Sequence, residues 1–150
     1  MLAKQRGLSL LEVLCSLAVI AVIIAIMINY YYTQNQRSLK VTKAATQIQQ
    51  IASVSYEWQA AQSQSDFSGI SLPILQAAGL LSPDYNYTQV SPWGGEISVQ
   101  PDPANAQYVR ISLLLVPEYA CTQLQELLKE VAFSQATGHN CKEGNYYISM

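Results

Sequence analysis

The 150-residue chain has few of the residues that usually perform chemistry, with one histidine, three cysteines and only 12% charged residues. The histidine, His139, lies between Gly138 and Asn140 in a predicted loop and has no catalytic companion nearby in the sequence. The chain also lacks the motifs of nucleotide-binding loops, serine hydrolases, zinc proteases and EF-hand calcium loops. A lone loop histidine is more often solvent-exposed than functional. We therefore expect no enzyme activity, no cofactor and no metal site.

Basic residues are scarce as well. Eight Lys and Arg stand against ten Asp and Glu, which gives a formal net charge of −2, and the cations are scattered along the chain. Surfaces that bind nucleic acids need clustered Lys and Arg. We therefore predict no specific nucleic-acid partner.

Neither proline nor glycine occurs between Val13 and Gln64, so no helix-breaking residue interrupts this stretch. Its first part, residues 13–28, is apolar apart from one serine and one cysteine. In its second part, apolar or small side chains recur every three or four residues, as on one face of a helix. These positions are Val41, Ala44 or Ala45, Ile48, Ile51 or Ala52, Ser55 and Trp58. We predict one helix from about Ser9 to Gln62, on the order of 80 Å long.

The two parts of this helix suit different surroundings. The apolar part is long enough to cross a hydrocarbon layer of roughly 30 Å, whereas the striped part is predicted to pack on a globular head. Tyr30, Tyr31 and Tyr32 fall where the bilayer would end, as in an interfacial aromatic belt. Lys4 and Arg6 precede the span, so the positive-inside rule places the N-terminus in the cytoplasm.

A short motif precedes the apolar run. Lys4 and Arg6 are followed by Gly7, and Glu12 stands five residues after the glycine, at the edge of the span. A charge in a membrane segment costs roughly 2.5–3.5 kcal/mol at its centre and less near its end, so such a charge usually serves a function. A secretory signal peptide would need small residues after its apolar core, but Asn29 and three tyrosines follow here. A plain signal anchor would explain the cations and leave Gly7 and Glu12 without a role.

The order of Lys4, Arg6, Gly7 and Glu12 before the apolar run resembles the processing signal of type IV prepilins. The resemblance implies that a prepilin peptidase cuts between Gly7 and Leu8 and methylates the new amino group of Leu8. Glu12 is then the fifth residue of the mature chain. Its carboxylate is expected to support assembly by pairing with the methylated amine of Leu8, in its own subunit or in a neighbouring one.

The same resemblance divides the chain into three parts. Residues 1–7 are a cleaved leader, residues 8–32 are the transmembrane and assembly half of the helix, and residues 33–150 are the exported head with the amphipathic half of the helix. The implied structure is the type IV pilin fold, an α+β arrangement in which the long helix packs on a small antiparallel sheet.

The head sequence contains signals for further helices and strands. Ser71 is expected to cap a short helix, with Pro73 in its first turn and Gly79 at its end. A sharp turn at 91–95 precedes a hairpin whose own turn lies at 102–105. The predicted elements are a helix at 71–79, strands at 96–100, 108–116 and 146–148, and a helix at 118–133. The apolar face predicted for this later helix consists of Leu124, Leu127, Leu128 and Val131.

Cysteine usage agrees with an exported head. Cys15 lies in the membrane run, which leaves Cys121 and Cys141 in the head. Free cysteines are unusual in oxidising compartments, so we predict a disulfide between these two residues that adds ~3 kcal/mol by restricting the unfolded chain. The loop at 134–140 resembles the disulfide-bounded region that pilins display on the fibre surface.

The resemblance implies a structural subunit of a type IV pilus that serves adhesion, motility, conjugation or uptake. Its expected partners are the prepilin peptidase, other pilin subunits and the inner-membrane assembly machinery. The subunit would wait in the inner membrane with its N-terminus in the cytoplasm and then enter a fibre on the cell surface. A helix between the second and last strands, together with Pro92-Trp93-Gly94-Gly95, is most similar to the type IVb branch.

Two alternatives remain open. One is a pseudopilin of a type II secretion system, although major pseudopilins more often have a calcium loop near the C-terminus, where this chain has a single acidic residue, Glu143, beyond Asn140. The other is a membrane-tethered periplasmic domain that binds a ligand.

Overall fold

The computed structural model describes residues 10–81, 90–135, 141 and 143–150. The chain divides into two compact units, and the boundary between them lies between Ser38 and Leu39. Along the described residues the elements follow in the order α1 (Leu10–Ala61), α2 (Leu72–Ala77), β1 (Ile97–Pro101), β2 (Val109–Leu113), α3 (Glu118–Leu128), β3 (Ser134–Gln135) and β4 (Tyr146–Ser149).

The long helix predicted from the missing breakers is confirmed as α1, Leu10–Ala61. It ends where Ser63 adopts a left-handed conformation with φ of +52°, which cannot continue a right-handed helix. The predicted stripe is confirmed too, since at least one residue at each predicted position is buried in the second part of α1. The buried residues of the stripe are Val41, Ala44, Ile48, Ile51, Ala52, Ser55 and Trp58.

Four strands form one antiparallel sheet in the order β1-β2-β4-β3. In the middle of the sheet Val99 pairs with Ile111, which pairs in turn with Ile148. All three side chains are buried, so this row of residues lies on the core face of the sheet. The predicted α+β pilin fold, a long helix packed on a small antiparallel sheet, is therefore confirmed.

The second strand is shorter than predicted, because β2 ends at Leu113 and not at Val116. The turn at 91–95 packs directly against the backbone that follows β2, and a Cβ atom on Gly95 would lie 1.9 Å from the carbonyl oxygen of Leu114. Leu115 then adopts a left-handed conformation with φ of +59°. The strand therefore ends where another turn approaches it closely. The apolar sequence of residues 108–116 did not indicate this end.

The later helix is also shorter than predicted, since α3 ends at Leu128. The amide of Val131 donates to the carbonyl oxygen of Leu128, three residues earlier, and residues 129–131 form a turn. Leu127 is 59% exposed and Val131 is 51% exposed. Only part of the predicted apolar face is therefore buried, namely Leu124 and Leu128.

Two smaller differences concern the ends of elements. The helix α2 contains the predicted Pro73 in its first turn, but the side chain of Ser71 makes no capping hydrogen bond. The sequence predicts a loop at 134–140, but Ser134–Gln135 form the strand β3. Two residues are too few to display an alternating pattern. The rest of that loop and His139 lie outside the described residues.

Candidate assembly segment

The first part of α1 is a membrane-length apolar segment that its own chain does not cover. An 18-residue window of α1 near the N-terminus is apolar enough to cross a membrane, and none of it is buried. Its apolar side chains are exposed, and Leu10 and Leu11, for example, are 79% and 72% exposed. Leaving this much apolar surface in water is unfavourable by roughly 25 cal/mol per Å². The segment therefore requires lipid or other protein chains around it.

Glu12 lies in the first described turn of α1. Its side chain is exposed, and its backbone carbonyl accepts a hydrogen bond of 2.8 Å from the hydroxyl of Ser16. Gly7 and Leu8 lie outside the described residues. The cleavage between them and the pairing of Glu12 with the amine of Leu8 therefore remain predictions.

The head contains the disulfide that the sequence predicts, between Cys121 in α3 and Cys141. Both cysteines are buried, and the amide of Gln125 donates a hydrogen bond of 3.3 Å to the sulfur of Cys141. The bridge closes a sequence separation of 20 residues and ties α3 to the chain just before β4. Cys15, in contrast, is a free and exposed cysteine of α1.

Replacing Cys121 by serine is expected to lower the free energy of unfolding of the head by ~3 kcal/mol, because the unfolded chain regains the freedom of a loop of about twenty residues. Denaturation followed by tryptophan fluorescence measures this change, since both tryptophans, Trp58 and Trp93, lie in the head unit. Cys15→Ser is the matched control and should leave stability unchanged. Alkylation of the unfolded, unreduced protein should modify Cys15 alone, and labelling of the head cysteines would contradict the prediction.

Asp102 is a buried carboxylate that links three strands of the head. The sequence predicts only that it lies in a turn. It follows β1 directly, and its Oδ2 atom accepts hydrogen bonds from Nη2 and Nε of Arg110 in β2, at 2.8 and 3.1 Å. The hydroxyl of Ser149 in β4 donates to the same oxygen. The side chain of Asp102 is fully buried, whereas that of Arg110 is 21% exposed. One carboxylate thus links the end of β1 to β2, with which β1 pairs, and to β4, which lies one strand further along the sheet.

The other oxygen of Asp102 organises its own turn. Oδ1 accepts hydrogen bonds from the backbone amides of Ala104 at 2.7 Å and Asn105 at 3.2 Å. Arg110 is held from a second side, because its guanidinium carbon lies 4.4 Å from the ring centroid of Tyr147. One sequence signal could have pointed to this cluster, namely the charged residue between Val109 and Ile111, since Arg110 is the single charged residue of β2.

Burial alone would raise the pKa of Asp102, but hydrogen bonds from Ser149, Ala104, Arg110 and Asn105 outweigh it and lower the pKa to about 2. A lowered pKa means that the carboxylate stabilises the folded head above the ordinary Asp pKa of ~4, and that this stabilisation is lost as the pH falls towards 2. We expect wild-type protein to lose more thermal stability between pH 4 and pH 2 than the Asp102→Asn variant. Melting temperatures of both proteins at pH 7, 4 and 2.5 test this. Equal decreases of the melting temperature in the two proteins would contradict it.

The comparisons with known proteins agree with this geometry. Residues 2–28 match the family model described as the prokaryotic N-terminal methylation motif, which is the class III signal of prepilins. No curated protein is significantly similar to the chain. The matched motif covers the cations, Gly7, Leu8, Glu12 and the apolar run, and it is followed by a pilin fold with a disulfide in its head. The chain therefore carries the processing signal of a type IV pilin-like prepilin, a class that includes pilins and pseudopilins.

Proposed function

We propose that this protein is a structural subunit of a type IV pilus, of the type IVb kind, which polymerises through the first part of α1 after removal of residues 1–7. The observation that carries the proposal is the apolar window of α1, none of which is buried by its own chain. A membrane anchor alone would explain the apolar surface. The methylation motif is the signal for a peptidase that converts an anchored precursor into a subunit ready for assembly.

The same apolar surface serves in two environments. Lipid surrounds it while the subunit waits in the inner membrane with its N-terminus in the cytoplasm. Once the subunit enters a fibre, the matching helices of neighbouring subunits replace the lipid. Since burial contributes roughly 25 cal/mol per Å², a helix with exposed leucine, isoleucine and valine along its length holds neighbours together without covalent bonds.

Two features of the head support a pilus subunit of the type IVb kind. The helix α3 lies between β2 and β4 along the chain, which is the arrangement that suggested this branch. The Cys121–Cys141 bridge suits a head that leaves the cytoplasm and is exposed on a fibre. The bridge also favours a pilus subunit over a pseudopilin of a secretion system, where a calcium loop more often stabilises this region.

The role that we propose is structural and not enzymatic. Its partners are the prepilin peptidase, further pilin subunits and the inner-membrane assembly machinery. A membrane-tethered ligand-binding domain explains the anchor but gives no reason for a methylation motif.

Shearing surface fibres from cells and measuring the intact mass of this chain tests both the processing and the fibre. We expect the chain to begin at Leu8 and to carry one methyl group on its amine, because the peptidase cuts after Gly7. Retention of residues 1–7 in fibres, or absence of the chain from all fibres, would contradict the proposal. High abundance would identify a major subunit, and low abundance a minor one.

Gly7→Asp is expected to block processing completely, because only a residue without a Cβ atom lets the backbone approach the peptidase closely. An immunoblot of membranes should then show only the uncut precursor. Gln5→Asp, two positions earlier in the leader, adds the same charge as a control and should leave cleavage intact.

A further inference from the structure

A shallow groove runs along α1 across the end of its apolar run. Its volume is about 350 Å³, and its lining side chains lie at intervals of three and four residues on one side of the helix: Ile26, Asn29, Tyr30, Thr33, Gln34 and Arg37. All of them belong to the unit that ends at Ser38. They are exposed, so the groove is open to a ligand from the side.

The groove changes from apolar to cationic along its length. Ile26 at one end is 64% exposed and suits an acyl chain. In the middle, the phenol oxygen of Tyr30 accepts a hydrogen bond of 3.2 Å from the amide of Gln34, so these two polar groups are held beside each other. Arg37 at the other end supplies a guanidinium, whose planar set of donors can bind a phosphate with two hydrogen bonds. This order of groups matches the order of parts in a phospholipid.

The position of Arg37 relative to the membrane fits the same ligand. Arg37 lies nine residues after Ile28, the last residue of the apolar run, which corresponds to about 13 Å along a helix. The headgroup layer beyond the hydrocarbon is about 5–8 Å thick on each side. Side chains of a helix lean towards its N-terminus, so the guanidinium reaches back towards the lipid phosphates.

The sequence around Arg37 favours an anion as its ligand. No Asp or Glu occurs between residues 13 and 56, so the formal charge of this stretch is positive. Cations within about 8 Å of an anionic surface are attracted to it at physiological ionic strength.

We propose that this groove binds one anionic phospholipid of the leaflet from which the head emerges. Its phosphate contacts Arg37, its ester region lies beside Tyr30 and Gln34, and one acyl chain lies along Ile26. The site goes beyond the proposed pilus function and requires only that α1 is anchored in a membrane. The bound lipid has to be released when the subunit leaves the membrane for a fibre.

Native mass spectrometry of the full chain in detergent, with equal amounts of phosphatidylglycerol and phosphatidylcholine added, tests the site. We expect wild-type protein to retain phosphatidylglycerol preferentially. Arg37→Gln should lower the ratio of anionic to zwitterionic lipid about fivefold, whereas Arg37→Lys should keep most of it. Lys129→Gln removes an equal charge from an exposed head residue and should behave as wild type.

Three results would overturn the proposal. Equal retention of the two lipids by wild-type protein would show that no anionic headgroup is selected. Equal losses in Arg37→Gln and Lys129→Gln would show general charge attraction without a site. Unchanged lipid retention in Arg37→Gln, together with fewer fibres, would assign Arg37 to a neighbouring subunit. Because the lipid ratio is measured without polymerisation, failure of the pilus function would leave it unaffected.

Discussion

Replacing Glu12 by valine is expected to reduce incorporation of the subunit into fibres by at least a hundredfold, while cleavage and membrane insertion continue. In the filament that we propose, the carboxylate of Glu12 is expected to lie among apolar helices and to pair with the methylated amine of Leu8. Removing one partner of a buried ion pair costs about 3–5 kcal/mol, because the other charge is left uncompensated. The amount of this chain in sheared fibres, relative to the processed chain in membranes, measures the effect.

The charge of Glu12, more than its size, should decide the result. Glu12→Gln keeps the shape of the side chain and should be nearly as defective as Glu12→Val. Glu57→Gln removes an exposed carboxylate from the head end of the same helix and serves as the control. When mutant and wild-type chains are produced together, the defect should appear at assembly. Normal amounts of fibre containing the Glu12→Val chain would contradict the assembly role and favour a membrane-tethered domain.

Replacing Asp102 by alanine is expected to lower the free energy of unfolding of the head by about 3–5 kcal/mol, which is a large share of the stability of a small domain. The substitution removes the acceptor of Arg110 and Ser149, and it also removes the acceptor of two backbone amides in the turn. Denaturant unfolding of the full chain in detergent, followed by tryptophan fluorescence, measures the change.

A double-mutant cycle separates the ion pair from the turn. Arg110→Gln alone should be strongly destabilising, but in the Asp102→Ala background it should cost much less, because the pair is already broken. Glu96→Gln changes an exposed carboxylate beside the same sheet and should stay within about 0.5 kcal/mol of wild type. Additive effects of the two substitutions would show that Asp102 and Arg110 do not act as a pair.

Features with a local or periodic origin were predictable from the sequence. The helix α1 follows from the missing proline and glycine, and its buried stripe follows from spacings of three and four residues. The hairpin of β1 and β2 follows from apolar alternation on both sides of a turn. The prepilin signal is equally local, since a peptidase reads it from a short segment whose residues are adjacent in the chain.

Features that depend on contacts between distant segments were not predictable. The end of β2 depends on the turn at 91–95 reaching the carbonyl of Leu114, which only the packing of the head brings about. The exposure of Leu127 follows from where the core lies relative to α3. The short strand β3 exists because Ser134 and Gln135 pair with β4, and not because of a pattern of their own.

The sequence by itself determined that this protein has a membrane-length helix, a methylation signal and an amphipathic continuation, because each depends on composition and spacing within one stretch of chain. Only the tertiary structure decided that Asp102, Arg110 and Ser149 meet. Asp102 and Ser149 lie 47 positions apart in the sequence and become neighbours because β4 pairs with β2. Their attraction stabilises the head only at contact distance in a region from which water is excluded, and the fold alone provides that distance and that exclusion.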